Sequence, residues 1–240
     1  MTACPNRSTA SVLPLGSKPI LSKAWSAESA TRRRLPRGGY LFRPGDPADF
    51  LYFVEDGLVK LSVCSETGRD LTLSLYGAGE FFGEEIVLAG SERFAFAVAI
   101  EDASLLAFSR ARVRELSERD REVALFLTRL VSERLSDSAR QMEALAWNTV
   151  PARLAAALLR LARRGGFRGA IDPRGRMDPD GTRVQLRITH QELANLIGST
   201  RETTTATLSA FRRRGWIDLV RREILLLRPD LLSAAAHSQS

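Results

Sequence analysis

In GSTRETTTATLSAFRRRGWI, residues 198–217, Arg201 and Glu202 stand side by side and are followed at helical spacing by Thr205 and Ser209. These residue types share one chemistry. A guanidinium can bridge guanine O6 and N7, a carboxylate can accept from a cytosine amino group, and a threonine offers a short hydroxyl or a methyl to a base edge. Arg212, Arg213 and Arg214 follow, and then Arg221 and Arg222, whose charge suits phosphates better than bases. The consecutive threonines Thr203–Thr205 lower helix propensity, and a cation at Arg201 opposes the helix dipole. Local rules broken together mark a functional position.

The flanking residues supply the elements that must position this set. Thr189 followed by Glu192, and Ser199 followed by Glu202, predict two capping boxes, so two helices start ten residues apart with Gly198 closing the first. In the first helix Leu193, Ala194, Leu196 and Ile197 supply buried contacts; in the second Thr204, Thr207, Leu208 and Phe211 form the inward stripe. That leaves Glu202, Thr205, Ala206 and Ser209 outside, with Arg201 beside them at the N-terminal end. His190 and Thr200, at the two helix starts, complete the candidate contacts. WIDLVRREILLL reads as two strands turning at Arg221-Arg222, a wing hairpin. The alternative, a helical hairpin of some other core, leaves the capping signals, the wing and the basic charge without a common reason.

That charge is unevenly spread. The chain's net +7 divides into six Lys/Arg against one acid in residues 1–34, thirteen against nineteen in 35–150, and sixteen against eight in 151–240. A basic C-terminal third beside an acidic middle fits a polyanion partner. An arginine-rich solvated surface fits equally, since 32 of the 35 basic residues are Arg. Cys4 and Cys64 form no paired motif, which argues against a disulfide framework or a cysteine-ligated metal centre and suits the cytoplasm. No apolar run is long enough for a membrane span, and no signal-peptide core is evident.

Upstream, residues 1–34 lack apolar periodicity and read as a mobile tail. From Leu35 to about Phe108, alternation in LYFV, LVKLSV and LTLSLY, cut by turns at Asp56-Gly57, Thr67-Gly68 and Gly77/Gly79, predicts short antiparallel strands in a sandwich or roll. From about Arg119 to Trp147 there is no glycine or proline, and Leu127, Val131, Arg134, Ser138, Gln141 and Leu145 lie on one seam of a long helix, a candidate dimer interface. Arg134 and Ser138 interrupt that seam either to set register or to face a ligand. Asn148 to Pro151 is a hinge candidate before a helix over 151–164 that stops at Gly165-Gly166; residues 172–181 form a turn-rich loop before a strand over 184–188, and 233–240 read as a C-terminal tail.

In LFRPGDPADFLYFVEDGLVKLSV, YGAGEFFGE and ITHQELANLIGSTRETTTATL, the sequence resembles the cyclic-AMP receptor protein and fumarate-nitrate regulator (CRP/FNR) family of bacterial transcription factors over about residues 35–232. The resemblance implies an α+β fold: a cyclic-nucleotide-binding-like β-roll over 35–118, a dimerisation helix over 119–147 and a winged helix-turn-helix over 148–232. It also implies a homodimer on an inverted repeat of double-stranded DNA, with RNA polymerase as a partner and no membrane. Arg201 and Glu202 match the family's base-reading arginine and glutamate, whereas Ala206 stands where the cyclic-AMP receptor has another base-reading arginine.

For the effector, Gly83, Glu84 and Arg93 match ribose- and phosphate-binding positions of the cyclic-AMP binders, with Phe94 in place of a serine, and Ser138 matches a position that touches adenine. RFAFAVAI and GSTRETT resemble instead the nitrogen-control branch, in which Arg93 and Arg134 would hold the carboxylates of 2-oxoglutarate, although Glu84 and Glu85 would repel that ligand. Three readings stay open: cyclic AMP or another small anion, 2-oxoglutarate, and no effector with Phe94 and its neighbours filling the pocket. Haem sensing is excluded because the histidines are His190 and His237, and iron–sulfur sensing for want of cysteines. The rival from another class is a signalling module acting through protein partners; no nucleophile–base pair, paired carboxylates or phosphate loop points to an enzyme.

Overall fold

The computed structural model describes Trp25 and residues 29–68, 70–88, 90–163, 184–186, 188–220 and 223–237. The N-terminal part is built from strands β1 (Thr31–Leu35), β2 (Tyr40–Phe42), β3 (Phe50–Asp56), β4 (Leu58–Cys64), β5 (Asp70–Gly77), β6 (Phe81–Phe82), β7 (Phe96–Ala99) and β8 (Ala103–Ser109). They pair into two antiparallel sheets, ordered β1-β8-β3-β6 and β2-β7-β4-β5. The chain crosses from one sheet to the other at Gly57, whose φ of 87° favours glycine and where a Cβ would collide with the Asp102 carbonyl and Ala103. Alternation along the strands sends Phe42, Tyr52, Val54, Val59, Tyr76 and Phe82 between the sheets.

On the outer face of the first sheet lie α1 (Arg110–Arg119) and α2 (Arg121–Trp147). Asp120 is extended and accepts from the Glu122 N–H at 2.9 Å, so it separates the two helices and caps the second. Val123, Leu127 and Leu130 of α2 pack with Leu51, Phe53 and Phe108 of the roll. This corrects the expected seam: Leu127 belongs to the sensor core, because its turn of the helix lies on the sheet. Past Leu130 the apolar residues on the far side are uncovered, with Val131 40%, Leu135 71% and Met142 65% exposed. Thr128, Val131, Leu135, Ser138, Met142 and Leu145 form the exposed line, at the 3,4,3,4,3 spacing of a helix-pairing face.

The N-terminal boundary also differs from expectation. Residues 31–34, read as the end of a tail, are strand β1, in register with β8 from Thr31↔Ala107 to Leu35↔Ala103. Trp25 is 2% exposed and sits 5.0 to 5.8 Å, ring to ring, from Phe81, Phe108 and Phe126. An unbroken polar run hides this strand: Thr31 to Arg34 are all exposed, and Arg32 forms a two-pronged pair with Glu55, both contacts 2.9 Å. A lone tryptophan carries no period to detect.

Asn148 ends α2 in an extended conformation, and α3 (Val150–Arg163) begins at once, with Thr149 Oγ1 accepting from the Ala152 N–H. There follow β9 (Val184–Leu186), α4 (His190–Ile197), α5 (Arg201–Arg213), β10 (Ile217–Val220), β11 (Glu223–Leu226) and α6 (Pro229–Ala236). The last three strands form one sheet, ordered β10-β11-β9. Because α6 runs to Ala236 with Leu232 fully buried, the tail expected from residue 233 starts later. Gly165-Gly166 and the loop 172–181 lie outside the described residues. The two halves share a core: Leu58, Leu75 and Ile100 of the roll pack in one cluster with Leu154, Leu158, Leu193 and Ile197. Asn195 Nδ2 adds a hydrogen bond to Asp70 Oδ2 at 3.1 Å, and the same oxygen is paired with Lys60. Among the described residues no helix is long and apolar enough to cross a membrane, and no His/Cys/Asp/Glu cluster could hold a metal ion.

Since Trp25 fills a site between sheet and helix, Trp25→Ala should cost about 3 to 5 kcal/mol of stability, read by urea unfolding. A loss below about 1 kcal/mol would remove this residue from the core.

Candidate nucleic-acid interface and sensor interior

The helix α4 opens on the expected capping box, with the Glu192 N–H donating to Thr189 Oγ1 at 3.1 Å and the Thr189 N–H to Glu192 Oε2 at 2.7 Å. Gly198 closes it in the left-handed region at φ 60°, and a Cβ there would stand 2.9 Å from a Leu145 methyl at the end of α2. The second box is corrected. Thr200 caps α5, accepting from the Thr203 N–H at 3.2 Å, while Ser199 closes α4, its N–H reaching the Ala194 carbonyl at 2.9 Å, so α5 starts one residue later than the expected box. Glu202 is thereby freed from capping and lies exposed beside Arg201.

The faces of α5 then follow from its inward stripe. Thr204 and Leu208 are fully buried and Phe211 nearly so, against Ile217 and the helices around them. Arg201, Glu202, Thr203 and Ala206 are exposed, and Thr205 and Ser209 half-exposed, as one outward face. His190, at the start of α4, is brought to this face: its Nδ1 lies 3.0 Å from Thr205 Oγ1. Burial, and secondarily the Arg201 charge, hold the imidazole below its ordinary pKa, so it is neutral at pH 7. Thr203 was not singled out in the sequence, because its neighbour Thr205 fitted the outer face better on an ideal wheel. Arg212 reaches Asp218 at 3.2 Å, and Arg214 lies over Trp216, tying the end of α5 to β10. Arg221 and Arg222 lie outside the described residues.

In the sensor, Gly83, Glu84, Arg93 and Arg134 do come together around an aromatic stack. Tyr76 and Phe82 stack at 4.8 Å, Phe82 and Tyr52 at 5.3 Å, and Tyr52 and Phe42 at 5.9 Å. A guanidinium caps each end: Arg134 lies over Tyr76 at 4.6 Å and Arg93 over Phe42 at 4.4 Å. Arg93, 2% exposed, pairs with Glu85 at 2.8 Å and donates to the Phe50 carbonyl. Arg134 donates to the Phe81 carbonyl at 2.7 Å and stands 3.6 Å from Glu84, which burial pushes above the usual carboxylate range despite that arginine. Gly83 has φ 90° and lets the chain pass Arg93, whose Nη1 is 3.0 Å from where a Cβ would be. Ser138 is not part of this group: it is exposed on the outward line of α2. Phe94, expected as a pocket filler, is 58% exposed; Ala95, just before β7, and Ala97 and Ala99 within it turn inward instead.

A family model described as "Cyclic nucleotide-binding domain" matches residues 32–120, and one described as "Crp-like helix-turn-helix domain" matches 152–235. The chain is 33% identical to the global nitrogen regulator of Synechocystis sp. over 82% of its own length and 84% of that protein's. The chain belongs to the CRP/FNR family of transcription regulators. Among other relatives of this CRP/FNR protein, the cyclic AMP receptor protein of Thermus thermophilus is 37% identical, over 78% of this chain and 80% of that one. A solved CRP/FNR-family transcriptional regulator, also from Thermus thermophilus, superimposes with a TM-score of 0.70 at 34% identity, covering 88% of this chain and all of that one. The α+β architecture of roll, helices and winged helix-turn-helix is the family's, and α4 and α5 are its DNA-binding helix-turn-helix.

The Arg93 pair is testable apart from function. Glu85→Gln leaves a buried cation without its counter-charge and should cost about 3 to 5 kcal/mol. Replacing both partners, Glu85→Leu with Arg93→Met, should recover most of that loss in thermal unfolding. Equal losses in the single and double variants would show that the pair is not what holds the site.

Proposed function

We propose that this regulator acts as a homodimer that inserts α5 into the major groove of an inverted-repeat operator and needs no small effector to do so. The observation that carries the DNA-reading half is the outward face of α5, where Arg201, Glu202, Thr205, Ala206 and Ser209 present donors, acceptors and methyl-sized groups, the Thr205 hydroxyl also meeting His190 Nδ1. Arg201 and Glu202 would read a G·C pair, Thr200 and the wing arginines Arg221 and Arg222 would meet phosphates, and Ala206 leaves one position without a long side chain. A second copy, pairing along Val131, Leu135 and Met142, would place two α5 helices on half-sites about one turn of DNA apart. Such a dimer would act on transcription through RNA polymerase.

The effector half rests on the sensor interior. Both arginines that would hold an anion already face carboxylates of the same chain, Glu85 and Glu84. A second reading has its own observation: Glu84 Oε2, Arg134 Nε and Arg93 Nε are buried without hydrogen bonds, and a small anion such as cyclic AMP, which several relatives' names mention, or 2-oxoglutarate could engage the two nitrogens. We prefer the first reading because Glu84 and Glu85 would have to give up their arginines to admit that anion, in a space already filled by Phe82 and Tyr52.

With an operator selected from random duplexes, Arg201→Ala should weaken specific binding by about 1 to 3 kcal/mol and flatten preference at one base pair per half-site. Unaltered preference would remove Arg201 from the groove. Leu135→Glu should put like charges across a two-fold axis and yield monomers in light scattering, whereas a stable dimer would move the interface elsewhere.

A further inference from the structure

The threonine hydroxyls of α5 have different kinds of partner. Thr204 and Thr207 donate to the Thr200 and Thr203 carbonyls one turn back, both at 2.8 Å, which is how a helix usually absorbs a threonine. Thr203 Oγ1 meets Thr200 Oγ1 at 3.0 Å. Thr205 alone among the described threonines of α5 turns to another helix, its Oγ1 lying 3.0 Å from His190 Nδ1. His190 is half-exposed, and among the described residues its Nε2 makes no hydrogen bond. It stands at the first position of α4, where phosphate oxygens are readily met.

Resting on the DNA-reading role of α5, we propose that His190 and Thr205 form a relay. In it the imidazole, engaged by a DNA phosphate at Nε2, decides whether the Thr205 hydroxyl faces the groove as a donor or as an acceptor. His190 is thus a positioning residue for base selection. A neutral imidazole carries one N–H. If the phosphate takes Nε2–H, Nδ1 is bare and Thr205 must donate to it, so the groove meets an oxygen lone pair and a methyl. That surface suits an adenine or cytosine amino group or a thymine methyl. An imidazolium carries both N–H groups. Nδ1–H then donates to Thr205 Oγ1 and the hydroxyl proton turns outward, towards guanine N7 or O6 or thymine O4. One proton on His190 inverts what Thr205 can recognise.

Burial first, and the surrounding charge second, favour the neutral form in the free protein. Arg201 on α5 is the cation acting on the ring, and Glu192, the acid on its own helix, is turned back to Thr189 with both contacts 2.7 Å. A phosphate at Nε2 reverses that field and raises the pKa on binding. The bound state then holds a proton that the free protein lacks, so binding tightens as pH falls through the bound pKa.

The test uses the intact dimer and its selected operator, with every base pair of one half-site substituted in turn and affinities measured at about pH 8 and about pH 6, on either side of an ordinary histidine. The relay predicts that at one base pair preference moves from amino- or methyl-bearing edges to acceptor edges as pH falls, by about fivefold, the effect of one neutral hydrogen bond. Thr205→Val keeps the shape and should lose the shift; His190→Gln, which cannot titrate, should lose it independently. A purely structural His190–Thr205 contact would lower the melting temperature of both variants and leave base preference alike at both pH values. Such an outcome, or a shift that survives in Thr205→Val, overturns the relay while DNA reading stands. An unaltered dimer that shows no sequence-specific binding at either pH overturns the reading beneath it as well.

Discussion

A guanidinium is costly to bury unless its charge is met from within the protein, and the sensor buries Arg93 almost completely and Arg134 in large part. Leaving one without its acid costs about 3 to 5 kcal/mol, more than the roughly 2 kcal/mol that an aromatic face returns to a desolvated cation. Stacking over Phe42 and Tyr76 therefore cannot hold Arg93 and Arg134 by itself, and Glu85 and Glu84 are required. The rest of the interior conforms to this. Gly83 clears the path of Arg93, and the carbonyls of Phe50 and Phe81 each take one further donor, leaving the Nε of each arginine without a hydrogen bond.

The same contacts join the sensor to the reader. Arg134 belongs to α2, yet its partners Glu84 and Phe81 belong to the roll, so the helix is tied to the sheet just where its apolar face ceases to be covered. Three and a half turns on, as helical geometry counts thirteen residues from Arg134 to Trp147, α2 ends at the Asn148 elbow. Leu145 there packs against the Gly198 turn between α4 and α5. Asn195 and Asp70 link α4 to β5 directly. A chain of packed elements thus runs from the buried arginines to the turn that sets the angle of α5. At its sensor end that chain of elements ends on two arginines that face the internal acids Glu84 and Glu85.

The reader was legible in the sequence because its signals are local. A capping box, a left-handed glycine and an inward stripe are each confined to a few positions, and α4, Gly198 and three of the four stripe residues, Thr204, Leu208 and Phe211, lie where those signals put them, whereas Thr207 is only half-buried. The second cap was read one residue early: Ser199 closes α4 through its N–H, and Thr200 supplies the capping hydroxyl. The roll was legible as a class of fold through alternation and turn glycines, but not in its pairing, which depends on contacts distant in sequence. Trp25 and β1 were missed for that reason, since their partners lie near residues 81, 105 and 126. The seam of α2 was read on the correct helix and about 50° off at 3.6 residues per turn, with Val131, Ser138 and Leu145 common to both lines, because Leu127 answers to the sheet and Leu135 to solvent. The pairing of Arg93 with Glu85, one of the alternatives the charges allowed, needed the fold to decide it.

The account turns on whether internal acids satisfy the sensor without an outside anion, and operator affinity measured with and without cyclic AMP at one salt concentration tests this most directly. Substantial sequence-specific binding in the absence of nucleotide, changed less than about twofold by its addition, is the expected result. An enhancement of tenfold or more, about 1.4 kcal/mol of coupling, would contradict it and show that Glu84 and Glu85 yield their arginines to a ligand.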